Sequence, residues 1–404
     1  MFCALVIANA KAQCDTSKYS YKYSFINDSL NIICNDSSSL CNLYSKLQML
    51  KKGDSTKLVI AHIGDSHIQA DMFSGKIRTL LQLQFGNAGR GLVFPYKAAK
   101  TNGPADYRSY TNCSWDTKRV IATSNQTPIG ISGITIKTSC DTSFVRLKMK
   151  EGVLDYHFNR IKLIHEQNLD NYDIQIKDTS GKNLGFIKSS KYLGEYRLSN
   201  IKLDTLLDEV IFQSIRIDSS QTFSQFYGFI LENSKPGILY NMIGVNGAEF
   251  YHYNEAVYFQ DQLSYIKPDL IILSLGTNDS FHGNFDSINF RNQVMCMISN
   301  LRLFNPEVEI LIMTPPDSFK KRKYKNTDLL LVVDILTDIC TLENIAYWNL
   351  FDIMGGSGSV AKWQLKKLAQ RDKVHYTLSG YELQATMFYD ALMDGLFKFE
   401  NRYK

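Results

Sequence analysis

Leu270-Ile271-Ile272-Leu273-Ser274-Leu275 is an almost continuous apolar run that stops abruptly at Gly276-Thr277-Asn278-Asp279. A run this short has no polar face. It reads as a strand buried on both sides, which is the environment of a parallel sheet covered by helices. The same texture recurs at Lys57 to Ile63, which runs into Gly64-Asp65-Ser66, and at Ile238 to Ile243, which runs into Gly244-Val245-Asn246-Gly247. It recurs again at Val308 to Met313 before Thr314-Pro315-Pro316, and at Ile345 to Leu350. Helical spacings separate these runs: Leu43, Leu47 and Leu50 within 40–52, then Phe73, Ile77, Leu80 and Leu81, then the stretch from Leu329 to Leu342. The alternation predicts an α/β fold, a flavodoxin-like three-layer α/β/α domain with a parallel five-stranded sheet.

From about 115 to 232 the texture changes. Val145, Leu147 and Met149 alternate with polar residues, as do Ile174 and Ile176, Val210 and Phe212, and Ile215 and Ile217. Turn residues such as Ser180-Gly181-Lys182-Asn183 divide the runs. Period-two alternation with frequent turns predicts an antiparallel, jelly-roll-like sandwich. The expected organisation is therefore one α/β domain over 40–90 and 236–400, interrupted by an all-β insertion over 91–235.

The net charge of +5 on 404 residues gives no reason to invoke nucleic acid. No stretch of 18 apolar residues is present, so no membrane span is expected. Phe2 to Ala8 is a short apolar run followed by small-x-small sites, which predicts that 1–13 is the truncated end of a secretory signal peptide and places the protein in the periplasm or outside the cell. Of the eight cysteines, Cys34 and Cys41 are close enough to bridge across a Ser-rich turn. Cys113 and Cys140 can pair in an oxidising compartment. Cys296 and Cys340 lie in helical patterns and read as buried thiols.

Four short features fall at strand ends or near the C-terminus, where open parallel sheets bind ligands. In Gly64-Asp65-Ser66-His67, a serine at a strand-to-helix turn exposes its hydroxyl, and its N–H sits at a helix N-terminus. In Asp372-Lys373-Val374-His375, a histidine can serve as base while an aspartate three residues earlier orients its other nitrogen. Asn278 offers an amide donor to an oxyanion, and Gly247 a backbone N–H unobstructed by a Cβ. Each alone is more economically a cap, a turn or a loop glycine. Together, and in this order, they form a specific pattern.

On these four blocks the chain resembles the SGNH/GDSL hydrolase family over about 55–85 and 236–398. Within that family it is most similar to bacterial peptidoglycan O-acetylesterases. That likeness rests on His62 to Asp71, Phe85-Gly86-Asn87-Ala88-Gly89-Arg90-Gly91, Gly355-Gly356-Ser357-Gly358-Ser359 and Leu368-Ala369-Gln370-Arg371-Asp372. The group carries a β-sandwich like a carbohydrate-binding module between its Ser and Gly blocks.

The resemblance implies Ser66 as nucleophile, Asp372 and His375 as the acid-base pair, and Ser66, Gly247 and Asn278 as oxyanion donors. It implies an acetylated glycan, foremost peptidoglycan, as substrate and no metal or organic cofactor. An O-acetyltransferase on the same scaffold, an acetylxylan-type esterase and a non-catalytic glycan-binding protein are the alternatives. His282, Trp363 and Gln364 are candidate substrate contacts. His62 reads as packed in its strand and His67 as facing away from Ser66. Tyr156, Tyr172 and Trp115 can stack on sugar or fill the sandwich core.

Overall fold

The computed structural model describes residues 21–122, 128–190 and 196–402. The expected signal segment 1–13, with Cys3, and the following Cys14 lie outside the described residues. Five parallel strands form the central sheet: β1 (Lys57–Gly64), β2 (Gly237–Gly244), β3 (Leu270–Ser274), β4 (Glu309–Met313) and β5 (Ala346–Trp348). Their spatial order is β2-β1-β3-β4-β5, the doubly wound order whose switch point lies between β1 and β3. A sixth strand of two residues, Ile33–Cys34, pairs antiparallel with β5. It comes from a polar stretch with no strand periodicity, and it extends the five-stranded sheet expected from sequence.

The long helices form two groups. Helices α1 (Cys41–Lys52), α2 (Met72–Phe85) and α5 (Leu378–Glu400) pack together, while α3 (Ser287–Phe304) packs on α4 (Asp328–Leu342). Leu43, Leu47 and Leu50 are the buried face of α1, as their spacing requires.

Between β1–α2 and β2 the chain builds two antiparallel sheets. One orders Asn183–Ile187, Asp173–Lys177, Glu209–Ile215, Phe144–Met149 and Tyr107–Thr111. The other orders Tyr196–Leu207, Phe158–Glu166, Ser224–Glu232, Ile134–Thr138 and Asp116–Arg119, with Gly91–Val93 added beside Ser224–Glu232. Along Phe144–Met149 the buried residues are Val145, Leu147 and Met149. In Glu209–Ile215 the inward register runs Val210, Phe212, Ser214; Ile215 falls on the other face and Ile217 is exposed. The alternation of Ile215 with Ile217 therefore runs along the outward face. The inward slot holds a serine whose hydroxyl is bonded to those of Ser143 and Ser224. Trp115, Tyr156 and Tyr172 are all buried, so they pack and do not present a sugar platform.

The insertion is fastened to the α/β layers by a buried ion network. Asp71 accepts from Arg78 at 2.7 Å and from Arg90 at 2.9 Å, and both guanidiniums also pair with Asp106 at the edge of the sandwich. Burial opposes ionisation of Asp106, yet the Arg90 and Arg78 guanidiniums hold its carboxyl below the usual range. Cys113 and Cys140 form a disulfide between the connections that join the two sheets. Cys34 and Cys41 are both free, because the helical turn Asp36–Ser39 separates the edge strand carrying Cys34 from the start of α1. Cys340 is buried as expected, but Cys296 lies on the exposed face of α3.

Candidate active site

β1 ends at Gly64, and the chain turns directly into a single helical turn, Ser66–Gln69. Asp65 caps that turn, its carboxylate accepting from the His67 N–H at 2.9 Å. The turn can sit against the sheet only because its neighbours lack side chains. A Cβ on Gly64 would meet Ile68 at 2.3 Å, and one on Gly244 would meet the Gln69 backbone nitrogen at 2.4 Å. Ser66 is thereby raised above the carboxyl ends of β1 and β3.

The candidate base, His375, arrives from the other end of the chain. Between the helix Ser359–Leu365 and α5, Asp372 folds back on its own loop. One carboxylate oxygen accepts from the backbone N–H groups of Val374 and His375, each at 3.0 Å. Its other oxygen is 2.8 Å from His375 Nδ1, and His375 Nε2 is 2.9 Å from Ser66 Oγ. Burial works against the Asp372 charge, but the His375 bond and the two backbone donors hold the carboxyl below its usual range. Lys373 takes φ 56°, the left-handed step that lets the loop close. The sequence-expected Ser66, His375 and Asp372 therefore form one hydrogen-bonded chain across 309 residues.

The oxyanion candidates stand around the same serine. Gly247 has φ 83°, a backbone conformation that favours glycine. Among the described residues no acceptor takes the N–H of Ser66 or of Gly247. Asn278 differs, because its amide already donates to Ala248 O at 3.0 Å and to Asp65 Oδ2 at 3.2 Å. An oxyanion has to share or replace one of these acceptors. Asp65 is fully buried, and burial pushes its carboxyl up to about 7.

The remaining candidates divide. His282 is exposed and pairs with Glu249 at 2.9 Å, in a separate cleft of about 220 Å3 that also takes in Asp279. Gln364 lines a cleft of about 660 Å3 together with Asp372. Trp363 does not line it; the indole is wholly buried and donates to Met354 O at 3.0 Å, so packing claims it. His62 is buried between Tyr240 and Ser274, and burial brings its pKa down to about 3. His67 does not reach Ser66. It points down to the Tyr381 hydroxyl at 2.8 Å, yet its ring still lies 5.4 Å from that of His375.

Two contributions had no sequence signal. Gln69 is buried and accepts from the Asn246 N–H while donating to Thr101 and Asn102 of the insertion, which ties the Gly block to the sandwich. Ile121 of the insertion is the nearest side chain to the missing Cβ of Gly247, at 3.8 Å. Only the three-dimensional register brings either to the site.

Residues 214–383 match the model of the GDSL-like Lipase/Acylhydrolase family. The chain carries a GDSL-like lipase/acylhydrolase domain. Its activity class is carboxylic ester hydrolysis. The matched stretch of this hydrolase domain holds Gly247, Asn278, Asp372 and His375, while Ser66 lies ahead of it, beyond the insertion. A structure of a peptidoglycan O-acetylesterase superposes with TM-score 0.74 and 22% identity, covering 90% of this chain and 97% of that one. The shared fold thus includes the β-rich insertion. A lipase/acylhydrolase from Enterococcus faecalis aligns at TM-score 0.31 and 19% identity, over 39% of this chain and 77% of its own. A family two carbohydrate esterase from Cellvibrio japonicus aligns at TM-score 0.29 and 9% identity, over 72% of this chain and 99% of its own. These last two likenesses are too loose to bear on the fold. No curated protein sequence matches the chain.

Proposed function

We propose that the hydrolase domain is a serine carbohydrate esterase that removes O-acetyl groups, with O-acetylated peptidoglycan as substrate. The observation that carries this reading is the continuous hydrogen-bonded chain Asp372, His375, Ser66. In the proposed reaction His375, oriented by Asp372, takes the Ser66 proton as Oγ attacks the acetyl carbonyl. The Ser66 and Gly247 N–H groups and the Asn278 amide hold the oxyanion, Asn278 relinquishing one of its present acceptors. His375 returns the proton to the departing sugar hydroxyl. It then activates water to release acetate from the acetyl-serine.

The likeness to the peptidoglycan O-acetylesterase, which extends through the insertion, supports a glycan substrate. On the same reading residues 40–90 and 236–400 are the hydrolase part and 91–235 a carbohydrate-binding-module-like part. The Cys113–Cys140 disulfide supports a periplasmic or secreted protein.

The test is acetate release from O-acetylated peptidoglycan and from acetylated xylan by the wild type and Ser66→Ala. The variant should lose on the order of 10⁶-fold in rate, and peptidoglycan should be the better substrate. Undiminished release by Ser66→Ala removes Ser66 as nucleophile, and a preference for xylan removes the peptidoglycan assignment.

A further inference from the structure

A cleft that opens beside Asp372 is basic. It has a volume of about 660 Å3 and is lined by Arg322, Gln364, Leu365, Lys367, Arg371 and Asp372, among others. The three cations come from three separate segments. Arg322 sits at the tip of the hairpin Phe319–Lys320/Tyr324–Lys325, Lys367 follows the helix Ser359–Leu365, and Arg371 immediately precedes Asp372. The hairpin is held to the catalytic loop, with the Phe319 N–H donating to Lys373 O at 2.8 Å. Its position relative to His375 is therefore fixed.

These charges are not spent inside the protein. Lys320 is paired with Asp328, and Lys325 reaches Ser357 O, but among the described residues Arg322, Lys367 and Arg371 make no ion pair. The sole carboxylate lining the cleft, Asp372, is occupied by His375 on one oxygen and by two backbone N–H groups on the other. Three exposed like charges around one concavity repel one another, and a bound anion relieves that repulsion. Guanidiniums bind carboxylates in a bidentate fork, so two arginines with a lysine suit a chain that presents carboxylates in succession.

We propose that this cleft is a carboxylate-binding subsite for the unreacted part of the substrate, so that the preferred substrate is an acetylated glycan bearing carboxylates. This rests on the reading of Ser66 as the esterase nucleophile, because that reading makes Asp372, which lines the cleft, the partner of the catalytic His375. The carboxylates belong either to uronate rings or to peptides attached to the sugar.

Binding is measured by calorimetry on Ser66→Ala protein, which keeps the cleft and turns nothing over. The probes are tetragalacturonate, muramyl dipeptide and neutral cellotetraose. At least one acidic probe should bind about tenfold tighter than cellotetraose in low salt, with the preference shrinking as salt is raised. The preference should vanish when Arg322→Asn, Lys367→Asn and Arg371→Gln are added. Asparagine is chosen because Arg322 and Lys367 have φ 62° and 59°, and asparagine tolerates that region. A tighter tetragalacturonate places the carboxylate on the ring, and a tighter muramyl dipeptide places it on a peptide. Equal affinity for all three probes overturns the proposal. So does charge-dependent binding to phosphatidylglycerol vesicles with none to the acidic sugars. Charge-selective binding without acetate release by the wild type would leave the subsite standing and remove the esterase reading. Acetate release without charge selectivity would do the reverse.

Discussion

The parallel sheet and the inserted sandwich bury their strands by the same physics and write it into sequence differently. β1 to β4 are buried almost throughout and read as apolar runs. Phe144–Met149 and its neighbours alternate, because one face meets the opposite sheet and the other meets water. Function divides the same way. The proposed reacting groups project from loops beyond the carboxyl ends of the parallel strands, where backbone N–H groups and helix starts are available. The sandwich supplies none of Ser66, Asp372 or His375. It approaches the site through Asn102 and Ile121 and is anchored by charge.

That division predicts effects that differ in kind. Asp372→Asn should reduce acetate release about 10⁴-fold with little change in melting temperature, because it spoils the orientation of His375 and not the fold. Steady-state kinetics beside a thermal melt checks this, and a loss below tenfold would mean that His375 does not depend on Asp372. Asp71→Asn should do the opposite. It removes the carboxylate shared by Arg78 and Arg90, both buried, and should cost about 3–5 kcal/mol of stability in urea unfolding. The Asp71 backbone has φ 58°, which asparagine accepts, so the loss isolates the charge. A variant as stable as the wild type would show that the two halves do not need this network.

The smallest effect concerns Asp65, whose carboxyl burial raises to about 7. The folded state then holds a proton that the unfolded state has released between the ordinary carboxylate pKa and about 7, so this group makes folding less favourable as pH rises through that window. Asp65→Asn keeps the cap on His67 and removes the titration. The stability difference, variant minus wild type, should grow from pH 4 to pH 7. A difference independent of pH would mean that folding does not raise the pKa of Asp65.

Much of this was legible in the sequence, for physical reasons. Continuous apolar runs report burial on two faces, and the residues that end them report where chemistry can sit, so Ser66, Gly247, Asn278 and the Asp372–His375 loop stood out. The edge strand Ile33–Cys34 did not, because two residues have no period. Period two does not say which face is inward at Ile215, where the inward slot holds a buried serine. Trp363 looked available for substrate because sequence does not tell a wall from a core. The Asp71–Arg78–Arg90–Asp106 network and the bridge from Gln69 to Asn102 were hidden because residues far apart in the chain meet only in the fold. The same holds for the cations of the 660 Å3 cleft, which come from three segments.

The pairing of β1 has a consequence in time. Lys57 lies beside Gly237 and Leu270 beside Ile60, so the strand that leads into Ser66 has no sheet partner until the whole insertion has been synthesised. His375 follows later still. A ribosome that has made Ser66 must add 309 residues before that serine can meet His375. Contacts this distant in sequence also slow folding. The hydrogen-bonded chain Asp372, His375, Ser66 thus closes only near the end of synthesis.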